Sequence, residues 1–203
     1  MGVAENNVNA DCSNKGMSNC NPGQTFVADT RGTTACFAAW RSYVFSQLAK
    51  ARNQALYHWD YDADAQYSEV DYTTGNKFLS YWVDFTLAQM FPVTALSSPT
   101  ILVLQASDTA TVESLATNNP DGSYVIMFTD RAVHSSSDNN GVGDPRTVIV
   151  DVCALGGYSS VSQLNLRSDT NLTNGPQPTT RSPSPKLSIT LNGYGTAFLH
   201  LKP

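Results

Sequence analysis

Near Val93 the periodicity of the chain changes, and no single kind of layer accommodates both halves. Downstream lie seven short runs rich in β-formers: Ile101–Gln105, Thr111–Ala116, Ser123–Asp130, Arg146–Val152, Val161–Leu166, Lys186–Leu191 and Thr196–Lys202. Turn formers separate them, among them Asn119-Pro-Asp-Gly122 and Asn192-Gly193. Short strands at this spacing predict an antiparallel β-sandwich over residues 94–203. Within it the Asn/Pro/Thr/Ser stretch Asp169–Pro185 reads as a long turn, and Glu113, in mid-strand, as a solvent-facing residue.

Upstream the spacing is helical. Phe37, Trp40, Val44 and Leu48 recur on one side of a helix from Thr34 to Arg52, with Lys50 and Arg52 in the last turn, where cations complement the dipole. Gln54–Trp59 then reads as a short buried strand. A second helix, Gly75–Phe91, places Phe78, Trp82 and Phe85 on one side and ends at Pro92. Helix, strand and helix in this order are βα-type architecture, so the expected class is α+β: a partial (β/α) barrel segment over residues 1–93, then the β-sandwich.

The 203 residues suffice for one large domain or two small ones, and only 14% are charged, against roughly 25% in an average soluble domain. Asn, Ser, Thr and Gln must cover the surface instead, a habit of secreted proteins, and the expected location is outside the cell. A net charge of -5 with no basic patch excludes nucleic acid and anionic membrane as partners. No apolar run approaches the roughly 18 residues of a membrane span. Met1-Gly-Val-Ala-Glu5 has neither the basic start nor the apolar core of a leader, so any leader is expected to be absent from this chain. Cys12 and Cys20 flank a Gly/Asn/Ser-rich loop and suit a short-range disulfide, whereas Cys36 and Cys153 read as buried free thiols. No Cys/His spacing suggests zinc.

Three constellations could carry chemistry. In His58-Trp-Asp-Tyr-Asp-Ala-Asp-Ala-Gln-Tyr-Ser-Glu-Val-Asp71, Asp60, Asp62, Asp64 and Asp71 fall at EF-hand positions one, three, five and twelve. Ala65 stands where the sharp turn calls for Gly, Asp71 where a bidentate Glu belongs, and a strand precedes the loop where a helix should; no metal is therefore assigned. His134 with Ser135, Ser136, Ser137 and Asp138 crowds the residue types of a Ser-dependent esterase, without the G-x-S-x-G elbow that strains such a serine into place. Glycoside hydrolysis needs two carboxyls, and the glutamates are Glu5, Glu69 and Glu113. Glu5 follows a short apolar lead and precedes the polar Asn6-Asn-Val-Asn9, the place at a strand's carboxyl end where βα barrels put catalytic groups.

Ala4-Glu-Asn-Asn-Val-Asn9, the helix Phe37 to Lys50, Ala55-Leu-Tyr-His-Trp-Asp60, the helix Asn76 to Phe91 and a β-sandwich ending Asn192-Gly-Tyr-Gly-Thr-Ala-Phe-Leu199 together resemble the C-terminal part of a clan A retaining glycoside hydrolase, in the style of the family 39-like bacterial enzymes. The resemblance covers nearly the whole chain. It implies Glu5 as nucleophile at the end of the seventh barrel strand and Trp59, at the end of the eighth, as the aromatic platform beneath a sugar. Asn6, His58, Asp60 and Tyr61 are implied as rim residues that bind the substrate. The implied partner is a polysaccharide or oligosaccharide, and no cofactor is required.

An eight-unit barrel takes about 250 residues. The acid/base of the clan belongs to an Asn-Glu pair at the end of the fourth strand, which has no counterpart here. The resemblance thus implies a truncated form, a homo-oligomer covering open strand edges, or recruitment of Glu69 as the acid/base. A non-catalytic carbohydrate-binding or structural β-sandwich module is the alternative reading, and a Ser-dependent esterase the third.

Overall fold

Val125, Ile126, Met127 and Phe128 are all buried although they follow one another in a strand, so their side chains point alternately to two faces and both faces must be covered. That double cover organises the fold. The structure is a computed structural model and describes residues 2–3, 33–53, 55–56, 61–63, 68–94, 96–132 and 143–203.

The first half runs β1 (Gly2–Val3), α1 (Ala35–Lys50), β2 (Ala55–Leu56), β3 (Asp62–Ala63), β4 (Val70–Asp71) and α2 (Leu79–Met90). The second runs β5 (Thr100–Leu102), β6 (Val112–Asn118), β7 (Tyr124–Asp130), β8 (Pro145–Asp151), β9 (Ser160–Arg167), β10 (Thr179–Arg181), β11 (Lys186–Asn192) and β12 (Gly195–Lys202). An antiparallel six-stranded sheet has the order β10-β9-β12-β7-β6-β5. A separate antiparallel pair, β8 and β11, covers one face of it, and α1 and α2 cover the other.

Alternation sorts the side chains between those covers. Leu115, Val125, Met127, Leu164, Leu166 and Phe198 point to the helices, where they meet Ala35, Ala38, Ala39, Leu79, Trp82, Val83 and Leu87. Ala116, Ile126, Phe128, Ala197, Leu199 and Leu201 point the other way, onto Val150, Leu187, Ile189 and Leu191. Strand β11 has solvent on its far side, so every second residue is exposed. The result is three layers: helices, sheet and two-stranded cover.

The seven expected strands are all present. An eighth, β10, lies inside Asp169–Pro185; its three residues pair with β9, too short a run to carry an alternation signal. Asn192-Gly193 turns the chain from the cover to the central sheet instead of closing a hairpin, with Gly193 at φ +104°. Gly122, at φ +83°, closes the β6–β7 turn as expected.

The helix faces differ from the periodic reading. On α1 the sheet is met by small residues, Ala35, Ala38, Ala39, Ser42 and Ser46, which let helix and sheet approach closely. Phe37 is fully buried outside that contact, and Trp40, Val44 and Leu48 are half-buried. On α2, Trp82 is buried but Phe85 is 42% exposed. Thr34 caps α1, its hydroxyl accepting from the Phe37 amide.

Glu113 is the opposite of solvent-facing. It is buried at the α1–sheet contact, where it accepts from the Ser46 hydroxyl (2.6 Å), the Gln47 amide (2.9 Å) and the Lys50 ammonium (2.5 Å). Alternation along β6 fixed its direction, and helix donors replaced the water that an exposed carboxylate would have used. Buried hydroxyls continue the seam: Thr196 donates to Ser42 (2.7 Å) and Ser42 to the Ala38 carbonyl (3.1 Å). Cys36 is buried as expected, but Cys153, in a short 3-10 turn after β8, is exposed. Among the described residues no helix is long and apolar enough to cross a membrane.

Candidate active site

The site begins with two short parallel strands. β1 pairs with β2 in the register Gly2↔Ala55 and Val3↔Leu56. Parallel neighbours require a crossover, and α1 lies between β1 and β2 in the chain; β3 and β4 then precede α2. β1 ends two residues before Glu5, and β2 ends three residues before Trp59. Glu5, Asn6, Cys12, Cys20, His58, Trp59 and Asp60 lie outside the described residues, as do Asp64 and the serine-histidine cluster from His134 to Asp138.

The described site residues are Tyr61 and Glu69, and the backbone brings them together. The Tyr61 carbonyl accepts from the amides of Glu69 (3.2 Å) and Val70 (3.0 Å), and the Glu69 carbonyl accepts from the Phe78 amide (2.8 Å). Parallel pairing of β3 with β4 and a bridge from Val70 to Lys77 brace the same loop. Tyr61 is 60% exposed. Asp71, the twelfth residue of the supposed calcium loop, turns one oxygen to the amides of Thr73 and Thr74 and the Thr74 hydroxyl. These bonds hold its carboxyl below the usual range. Among the described residues no group of three metal-ligating side chains comes together.

Glu69 is half-buried between the helices. Burial, the Asp84 charge and a hydrogen bond with Asp84 push its carboxyl up to about 8, against a smaller pull downward from Arg41. Arg41, on α1, is almost wholly buried, and its guanidinium grips Asp84 of α2 with two bonds, Nε to Oδ1 at 2.9 Å and Nη2 to Oδ2 at 2.5 Å. A buried arginine inside a helix demands a partner, so the Arg41–Asp84 pair is what the missed signal amounts to: one cation and one anion, each in a stretch otherwise apolar.

Elsewhere, a cleft of about 760 Å³ opens between β5 and β8, lined by Leu102, Val112, Ala116, Ile126, Phe128 and Val148. It lies on the face of the central sheet opposite the helices. Asp108 stands at this cleft, already bonded to Thr111. Asp151 lines the cleft as well, its carboxylate accepting from the Cys153 amide at 3.0 Å.

No family model matches the chain, and no curated protein matches it. Solved structures do match it in fold. A glycoside hydrolase family 30 subfamily 8 xylanase from Clostridium acetobutylicum superposes with a TM-score of 0.64 at 11% identity, over 88% of this chain and 41% of the xylanase. A monomeric β-xylosidase from Caulobacter crescentus gives 0.56 at 12% identity, over 86% and 43%. A family 51 arabinofuranosidase from Xanthomonas axonopodis gives 0.52 at 16%, over 83% and 35%. The chain thus spans about two fifths of the length of these structures. At such identities the likeness is one of fold, and the fold of this chain is one that glycoside hydrolases carry.

Proposed function

We propose that this chain is part of a retaining glycoside hydrolase acting on O-glycosidic bonds of a polysaccharide or oligosaccharide, in a family 39-like arrangement. Residues 1–93 form the last βα units of its barrel and 94–203 the β-rich unit that supports them. Parallel pairing of β1 with β2 carries the proposal, because it sends the chain toward Glu5 and toward Trp59 from adjacent strands in the same direction.

In this reading the Glu5 carboxylate attacks the anomeric carbon while the leaving-group oxygen takes a proton, giving a covalent glycosyl-enzyme. Water then attacks that carbon and Glu5 leaves as carboxylate. Glu69 gives a proton to the leaving oxygen and recovers one from the water. The Trp59 ring stacks on the apolar face of the sugar, and Asn6, His58, Asp60 and Tyr61 take its hydroxyls. A short-range Cys12–Cys20 disulfide and a surface poor in charge suit work outside the cell.

Hydrolysis of a panel of aryl glycosides, with retention on insoluble polysaccharide measured beside it, tests the proposal. Turnover that disappears in Glu5→Gln is expected, together with a fall of at least about 10²-fold in Glu69→Gln. An undiminished rate in Glu5→Gln removes Glu5 as nucleophile. Retention by the parent chain without turnover of any glycoside leaves a carbohydrate-binding module in its place.

A further inference from the structure

The two-stranded cover is narrower than the six-stranded sheet it lies on. It leaves β5 and β6 open on that face, and the cleft of about 760 Å³ lies there, floored by Leu102, Val112 and Ala116 and walled by β8. Val103, 95% exposed, and Ile149, 70% exposed, stand at its mouth.

The wall has hydrogen bonds to give. Val152 donates to the Pro185 carbonyl at 2.9 Å, and that pair continues the register Asp151↔Lys186, Val150↔Leu187 and Ile149↔Ser188. Opposed residues of an antiparallel ladder alternate between bonded and unbonded pairs. Val152, Val150, Val148 and Arg146 therefore bond to β11, whereas Thr147, Ile149 and Asp151 turn their amides and carbonyls toward the cleft. Pro145, which has no amide hydrogen, falls in the second set, where a proline costs the ladder nothing. Among the described residues no backbone pairs with β8 on that side.

We infer that the cleft takes one extended strand of a separate polypeptide, which adds to the free edge of β8 and lays every second side chain on the apolar floor. Such a strand runs about 4.8 Å from β8, its outward side chains beside the exposed Thr147, Ile149 and Asp151. A second copy does not fit through the same edge, because its β8 arrives with a central sheet beneath it, in the space that β5 and β6 already fill. Charge selects the occupant. Asp108 and Asp151 line the cleft, whereas the one cation lining it among the described residues, Arg146, is engaged by buried Asp130 at 3.2 Å. Lys186 flanks Asp151 only from the β11 side. The segment is therefore apolar at alternate positions and basic at its outward ends. Nothing in this inference rests on the glycosidase reading.

The blocked heptapeptide Lys-Val-Thr-Val-Thr-Val-Lys, added to the full chain, is the probe. Amide exchange at Thr147, Ile149 and Asp151 is expected to slow at least about tenfold at saturation, while Val148 and Val150, already bonded to β11, change little. Ile149→Pro removes the central donor without touching the β11 ladder or the core, and is expected to weaken binding at least about tenfold. Glutamate in place of both peptide lysines is expected to weaken it at least about threefold. Shift changes at Leu102, Val112 and Ala116 with unchanged exchange at the three edge amides overturn strand addition, as does an absence of binding at about 1 mM peptide or undiminished binding in Ile149→Pro. Equal affinity for the glutamate peptide overturns the basic partner. A parent chain that is dimeric without peptide, its three edge amides already protected, puts a second copy in the cleft and overturns the separate strand. If Ile149→Pro fails to fold, Thr147→Pro removes a neighbouring donor on the same edge, and exchange in the parent decides by itself.

Discussion

Lys50 of α1 places its ammonium 2.5 Å from Glu113 of β6, and the same carboxylate accepts from Ser46 and Gln47. One side chain of the sheet therefore ties down the last turns of α1. Replacement by alanine leaves the Ser46 hydroxyl buried without its acceptor. Glu113→Ala is expected to lower stability by about 1–3 kcal/mol, discounted because Lys50 remains partly in water. Urea unfolding measures it, and a change under about 0.5 kcal/mol would contradict the clamp.

Gly175 sits at φ +75° with Trp82 directly against it; a Cβ there would overlap the six-membered part of the indole. The indole N–H donates to the Leu172 carbonyl at 2.9 Å, so the ring has no freedom to withdraw. Gly175→Ala combines a left-handed backbone with a steric clash, and roughly 2–4 kcal/mol of destabilisation is expected. Tryptophan emission should shift to the red as Trp82 is displaced. A variant as stable as the parent, with unchanged emission, would show that the contact is not tight.

The pH dependence of stability follows from signs. Glu69 binds its proton more tightly folded than unfolded, so its contribution is full below 4.5 and lost as the pH rises toward about 8. Burial raises Asp130 in the same direction. Asp71, Asp108, Asp121 and Asp151 are held low by hydrogen bonds from Thr74, Thr111, Ser123 and Cys153. Their contributions persist above 3.8 and vanish as the pH falls through their lowered values. His200, pushed down by burial, slopes the same way as these aspartates and opposite to Glu69, recovering stability as the pH rises through 6.5. Subtracting the Glu69→Gln profile from that of the parent isolates Glu69: the parent should lose ground steadily between about pH 5 and pH 8. A difference that is flat with pH would refute the raised carboxyl.

Trp59→Ala should weaken sugar binding without abolishing the fold. Loss of one stacking face costs about 1 kcal/mol or more, roughly a fivefold rise in KM or fall in retention on polysaccharide. Unaltered binding in Trp59→Ala would move the platform elsewhere.

Much of the element order was legible in the chain. Runs such as Tyr124–Asp130 and Lys186–Asn192 announce strands because β-branched and aromatic residues concentrate there, and Gly122 and Gly193 mark turns that need positive φ. β10 escaped notice because three residues among prolines show no period, and pairing with β9 supplies what propensity does not. Lys186–Asn192 also reveals its one-sided burial, since polar and apolar residues alternate along it.

Glu69 was legible only as one of three carboxylic side chains suited to sugar cleavage; nothing nearby in the sequence signals a retained proton. Its partners stand 28 residues upstream, at Arg41, and 15 downstream, at Asp84, and only packing of α1 against α2 brings them to it. Glu113 likewise reads as a surface residue until α1 is laid over β6. Local periodicity is a property of neighbours along the chain and determined the helices, the strands and most turns. Burial of a face, the pairing of a charge and the raised carboxyl of Glu69 depend on what the third dimension brings against a residue, and these the tertiary structure alone decided.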